Sequence, residues 1–135
     1  MKKIIFPFTI LLLTGCLGET GKGYIIKECK KEENINGMKI ETNIKIKSKQ
    51  GNIETIEITE TYDKKLDIES ITNSKKSEQN TYKNINQFKL DINENIFTYK
   101  IETNNLPEEL KERYNVKEEQ HKQVKYYEEN GYTCK

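Results

Sequence analysis

Between Met38 and Lys47 the chain alternates strictly: Met38, Ile40, Thr42, Ile44 and Ile46 are separated by Lys39, Glu41, Asn43, Lys45 and Lys47. Side chains of an extended strand point to opposite faces in turn, so this stretch predicts a strand with one buried face and one wet face. The flanking segments extend the pattern. Tyr24 to Lys30, which carries Cys29, reads as a short strand leading into the polar turn Glu33 to Gly37. Gln50-Gly51-Asn52 turns the chain again into a third strand, Ile53 to Tyr62, whose phase shifts between Thr55 and Ile56, the place for a β-bulge. These three make an antiparallel meander. Phe88, Leu90 and Ile92 alternate, Asn93-Glu94-Asn95 turns, and Phe97, Tyr99 and Ile101 alternate once more, which predicts a hairpin.

The remaining segments point to helices. Asp63 to Gln87 reads as a helix, with Asp63 as its cap and Leu66, Ile71, Tyr82 and Ile85 as an irregular stripe; a long exposed loop is the rival reading, because Asn73 to Thr81 is polar and poor in helix formers. Pro107 with Glu108 and Glu109 opens a helix that places Leu106, Leu110 and Tyr114 on one face. A second helix, about Lys117 to Glu129, turns Val124 and Tyr127 inward and stops at Asn130-Gly131. Tyr132 to Lys135 is then extended, and docking it beside the first strand would bring Cys134 to Cys29. The expected fold class is α+β: an antiparallel sheet of about five strands, meander plus hairpin, with helices packed on one face and the C-terminal helices prominent.

The amino terminus is of another kind. Lys2 and Lys3 precede an uncharged run, Ile4 to Gly15, that contains Pro7 and ends in small residues before Cys16. Its apolar part, Ile4 to Leu13, is about half the ~20 residues a spanning helix needs, so it reads as an export signal. Leu13-Thr14-Gly15-Cys16 resembles the lipobox of bacterial lipoproteins. That resemblance implies cleavage before Cys16 and a diacylglyceryl group on its sulfur, hence a cell-membrane location on the extracytoplasmic side; two acyl chains give a lasting anchor where one binds reversibly. The expected division is 1–15 as leader, 16–23 as lipidated cysteine and glycine-rich tether, and 24–135 as a single α+β domain.

With Cys16 assigned to lipid, two cysteines remain, Cys29 and Cys134. Outside the membrane an even pair reads as a disulfide, which for a loop of ~100 residues contributes ~4–5 kcal/mol. Two free thiols and a metal site are the other readings, although two sulfurs and one distant histidine cannot fill a zinc shell. A bridge requires adjacent strands and Cα atoms within ~7 Å. The lipobox, the Cys29 strand, the polar hairpin Asn34 to Gly37, the amphipathic strands, and a closing helix followed by Asn130-Gly131-Tyr132-Thr133-Cys134-Lys135 together resemble the YehR-like family of small bacterial lipoproteins of unknown function. The resemblance supports the fold and the disulfide, and it brings no catalytic or binding residue with it.

The chemistry legible in the chain is sparse. Of 23 basic residues, Lys2 and Lys3 belong to the leader, so 21 bases face 22 acids, net −1; that balance argues against a nucleic-acid partner, which calls for a basic face. His121 is the sole histidine, in a polar run that marks no nucleophile as its partner. A small envelope hydrolase using His121 with nearby carboxylates is the alternative to a binding or structural domain. Glu41, Glu54, Glu57 and Glu60 alternate with other residues on strands and are expected on the wet face. No glycine-rich phosphate loop, HExxH, CxxC or aspartate-rich calcium loop is present, so neither metal nor cofactor is expected. Eight tyrosines would serve in packing or gather as a contact patch. The expected function is a membrane-anchored, non-enzymatic domain at the cell envelope, with the membrane as partner through Cys16 and an envelope protein or polymer as a further one.

Overall fold

Two tight turns build the first half of the fold. Strand β1 (Tyr24–Ile35) is joined to β2 (Met38–Lys49) by Asn36-Gly37, and β2 to β3 (Asn52–Tyr62) by Gln50-Gly51. The turn residues have φ of 53° and 83° in the first and 53° and 85° in the second. Paired left-handed residues give the twist that a two-residue hairpin requires, and glycine takes the second place without Cβ strain. The computed structural model describes residues 23–63 and 67–135. Leu13, Thr14, Gly15 and Cys16, the tether up to Lys22, and Leu66 lie outside the described residues.

The strands depart from expectation in three places. β1 runs on to Ile35 instead of ending at Lys30, and pairs with β2 over its whole length, from Tyr24–Lys49 to Ile35–Met38. Charges on both faces of its second half hide the alternation. The β3 bulge falls at Glu54, just before the expected phase shift: Lys47 faces Thr55 and Ser48 faces Ile53. The extra residue lets Ile53 and Ile56 both reach the core. The third departure is Glu60. Ile56, Ile58, Glu60 and Tyr62 share one face, so Glu60 points inward with the isoleucines and away from the wet face assigned to it.

After β3 the chain crosses the sheet as helix α1 (Glu69–Thr81), then forms the hairpin β4 (Phe88–Asn93) and β5 (Ile96–Glu102). A helix forms in this region as read, but over Glu69–Thr81 and not Asp63 to Gln87; Tyr82 to Gln87, with Tyr82 and Ile85 of the expected stripe, are turns. Asp63 is not its cap: the Asp63 N–H donates to the Lys39 carbonyl as a continuation of β3, and Asp67 Oδ1 receives the Glu69 N–H at 2.9 Å. Helices α2 (Glu108–Arg113) and α3 (Gln120–Glu129) follow, then β6 (Thr133–Cys134). The sheet has six antiparallel strands in the order β4-β5-β3-β2-β1-β6, one more than expected.

The C-terminal helices are short, six and ten residues against thirteen in α1. Both end the same way. The Val116 N–H bonds the Lys111 carbonyl and the Asn115 N–H that of Glu112; Tyr132 and Gly131 repeat this on Tyr127 and Glu128. Each is a Schellman cap, with Asn115 (φ 52°) and Gly131 (φ 93°) as the left-handed residue. α3 starts at Gln120 and not Lys117, because the chain before it is extended: Ile53 N–H bonds the Glu118 carbonyl and Gln120 N–H that of Gly51. Gln123, fully buried, fixes this corner by accepting from the Lys117 N–H at 2.7 Å and donating to the Asn115 carbonyl at 3.0 Å.

The core lies between the sheet and the helices. Ile44, Ile46, Ile56, Phe97, Tyr99 and Ile101 form its floor, and Leu106, Leu110 and Tyr127 cover it. Burying each such side chain contributes roughly 1.5–3 kcal/mol. The Schellman turn at Gly131 sends β6 back along β1, where Cys29 and Cys134 face each other. Glu28 and Lys135 exchange both backbone bonds, so the cysteines occupy the adjoining non-hydrogen-bonded position, the closest approach an antiparallel pair offers. Their Cα atoms are 4.0 Å apart and the sulfurs are bonded. Among the described residues no helix is long and apolar enough to cross a membrane.

Candidate functional site

The helices pack toward the two edges of the sheet and leave a stretch of its middle, around Thr42, Ile58 and Glu60, less covered. α1 packs along β4, whereas α3 packs on β1 and β6. Between them lies a groove of about 550 Å³, within the range of ligand clefts. Thr42, Ile44, Ile58 and Glu60 form its floor; Lys75, Glu78, Arg113 and Tyr114 line one wall; Lys31, Tyr126, Asn130 and Tyr132 line the other. A larger hollow of about 780 Å³, beside Asn52 and Thr103, is walled mostly by the exposed ends of Glu108, Glu112, Asn115 and Glu118. The groove is the candidate site because its charges and rings are held in place.

Two ion pairs fix the first wall. The Lys75 ammonium lies 2.9 Å from Glu60 Oε1, donates to the Tyr99 hydroxyl, and sits 4.9 Å from the Tyr99 ring centroid. Glu78, with only 9% of its side chain exposed, accepts from Arg113 Nε at 2.9 Å and from the Tyr114 hydroxyl. Rings brace this wall from behind: Phe88 stacks on Tyr114 at 5.6 Å and meets Tyr82 edge-on at 5.5 Å. On the second wall Lys31 pairs with Glu33 at 2.6 Å, donates to the Asn130 carbonyl at 2.8 Å and lies over the Tyr132 ring. Tyr127 packs against both Tyr126 and Tyr132.

This packing also sets the protonation of the groove. Burial, reinforced by Glu60, pushes the Tyr99 hydroxyl far up, and burial raises that of Tyr132. The hydrogen bond to Glu33 raises Lys31, and that to Glu78 raises Arg113. Each of these groups therefore moves away from the neutral range that acid–base chemistry uses. At neutral pH the groove presents intact phenols and firmly held cations, suited to hydrogen bonding and stacking.

His121 stands elsewhere. It lies on the outer side of α3 with 76% of its side chain exposed, and Glu119, at 3.8 Å, is its ion-pair neighbour. Cys29 and Cys134 are joined, as the arithmetic of the cysteines expects. Among the described residues no group of three or more potential metal ligands occurs. The residues that make the groove were not singled out by sequence reasoning. For Glu60 the signal was available, in its even spacing from Ile56 and Ile58; Lys75, in a polar helix with no buried residue, offered none.

The site and fold define an α+β domain with a polar, tyrosine-lined groove across the middle of an antiparallel sheet. No protein-family model, curated protein or solved structure matches the chain.

Proposed function

We propose that this chain is a lipid-anchored envelope protein, related to the YehR-like lipoproteins, that binds an amide- and hydroxyl-rich protein or polymer of the envelope in its central groove and carries out no reaction on it. The groove carries the reading: aromatic faces beside fixed donors and acceptors of both signs suit such a chain, since rings take up its apolar faces while hydroxyls and carboxylates meet its polar groups. The anchor rests on the leader sequence and Cys16. Replacing Cys16 with Ala is expected to shift the protein out of the membrane fraction. Purified cell-wall sacculi are expected to sediment the protein, and Tyr126→Ala to weaken this while Thr98→Ala, on the opposite sheet face, leaves it unchanged. Equal behaviour of the two variants removes the groove from the reading.

A further inference from the structure

The exposed large apolar side chains among the described residues are Ile25, Ile26 and Ile35, 47%, 37% and 49% exposed, and all are on β1. The first two lie where the domain begins, Ile26 on the uncovered sheet face and Ile25 on the helix-bearing face beside Gln120. Tyr24 and Ile26 occupy the uncovered sheet face opposite Lys49 and Lys47. The Lys47 ammonium lies 4.2 Å from the Tyr24 ring centroid and that of Lys49 5.5 Å away. Among the described residues neither lysine is in an ion pair. β6 covers β1 only at Cys29 and Lys30, so the corner is open along its edge as well.

The length of chain before this corner decides what it meets. Six residues lie between Cys16 and Gly23, and the seven steps joining them reach ~25 Å when fully extended. We propose that the patch formed by Tyr24, Ile26, Lys47 and Lys49 on this uncovered face seats on the anionic surface of the bilayer, a proposal that takes the nearness of the membrane from the anchor reading above. An isoleucine entering the headgroup boundary, a tyrosine at that level and lysines toward lipid phosphates are the composition an interfacial contact uses. Each lysine at an anionic surface strengthens association about fivefold. Covalent attachment would then fix the domain's position, and this contact its orientation.

The test uses the full chain purified from membranes and reconstituted in phosphatidylcholine vesicles with or without phosphatidylglycerol. Amide hydrogen exchange over Tyr24 to Lys27 is expected to slow when phosphatidylglycerol is present, and Lys47→Gln with Lys49→Gln to weaken that protection about 25-fold. Equal exchange in both vesicle types overturns the proposal. So does slowing that follows protein density irrespective of lipid charge, which would mean a second copy pairing on the β1 edge. The anchor is read separately, from the mass of the amino-terminal peptide and flotation with neutral vesicles. A chain that floats with neutral vesicles yet shows no charge-dependent slowing keeps the anchor and loses the contact. One that floats only with anionic vesicles, through Lys47 and Lys49, keeps the contact and loses the anchor.

Discussion

Reducing the Cys29–Cys134 bond changes no residue, and its effect is calculable from the position of the bond. The bridge spans 105 residues, so it encloses nearly the whole domain. Opening a loop of that size returns conformational entropy to the unfolded chain equivalent to about 4.7 kcal/mol. A domain stability of ~5–15 kcal/mol would lose a third of its value or more. In urea, with a slope of about 1–3 kcal/mol per molar, the midpoint is expected to fall by about 1.6–4.7 M. Equilibrium unfolding of the oxidised and reduced protein, followed by circular dichroism, measures it. A second expectation separates global from local effects: β6 pairs with β1 at only two positions, so its amides should exchange freely on reduction. If the tail becomes labile while the urea midpoint stays within about 0.5 M, the entropic reasoning is wrong and the bond merely pins the last strand.

Three further outcomes are expected from single sites. Lys75→Met leaves Glu60 beside the Tyr99 hydroxyl without its cation and should cost about 1–3 kcal/mol, whereas adding Glu60→Gln should recover most of it; urea unfolding of both variants measures the coupling. Gln123→Leu keeps the volume but orphans the Lys117 N–H and the Asn115 carbonyl, which should cost about 2–3 kcal/mol and speed amide exchange at the start of α3. Burial and then Glu60 raise the Tyr62 phenol to about 12. A group whose pKa is raised by folding contributes stability that is complete below its unfolded value near 10 and is lost as pH rises from there to about 12. Ultraviolet titration should show Tyr62 ionising late, with Tyr99 and Tyr127 later still; one shared transition near pH 10 in the folded protein would contradict this.

Strand positions were legible because alternation is a local signal. Ile44, Ile46, Phe88, Leu90, Phe97 and Ile101 are all buried where the period of two places them. The pairing of the tail with β1 followed from two cysteines that had to meet. Helix bounds were harder to read. Val116 to Glu119 carries helix-forming residues but is drawn out by backbone bonds to Gly51 and Ile53, partners over sixty residues distant. α1 shows the same limit from the other side: its polar sequence argues for a loop, yet Gln79 bonds the Leu90 carbonyl at 2.6 Å and Lys75 and Glu78 reach into the groove. Such long-range bonds outweigh intrinsic propensity. The groove itself joins residues from β1, β2, β3, α1, α2 and α3, so no single stretch could announce it.

Why the sheet is less covered around Thr42, Ile58 and Glu60 has an energetic answer in the residues there. Ile44 and Ile58 lie on the floor beside Glu60, whose carboxylate meets Lys75 of α1 at 2.9 Å. Replacing a partly buried ion pair by apolar residues of similar size is often neutral or stabilising, so Lys75 and Glu60 are a poor device for stability alone. The same holds for Glu78, which takes both Arg113 and the Tyr114 hydroxyl on one oxygen. These charges keep the walls polar, and Phe88 with Tyr82, packed behind Tyr114, braces one of them from outside the groove. The core secures the fold with isoleucine, phenylalanine and leucine; the groove is where the chain forgoes such packing, and that contrast makes it the place to look for a ligand.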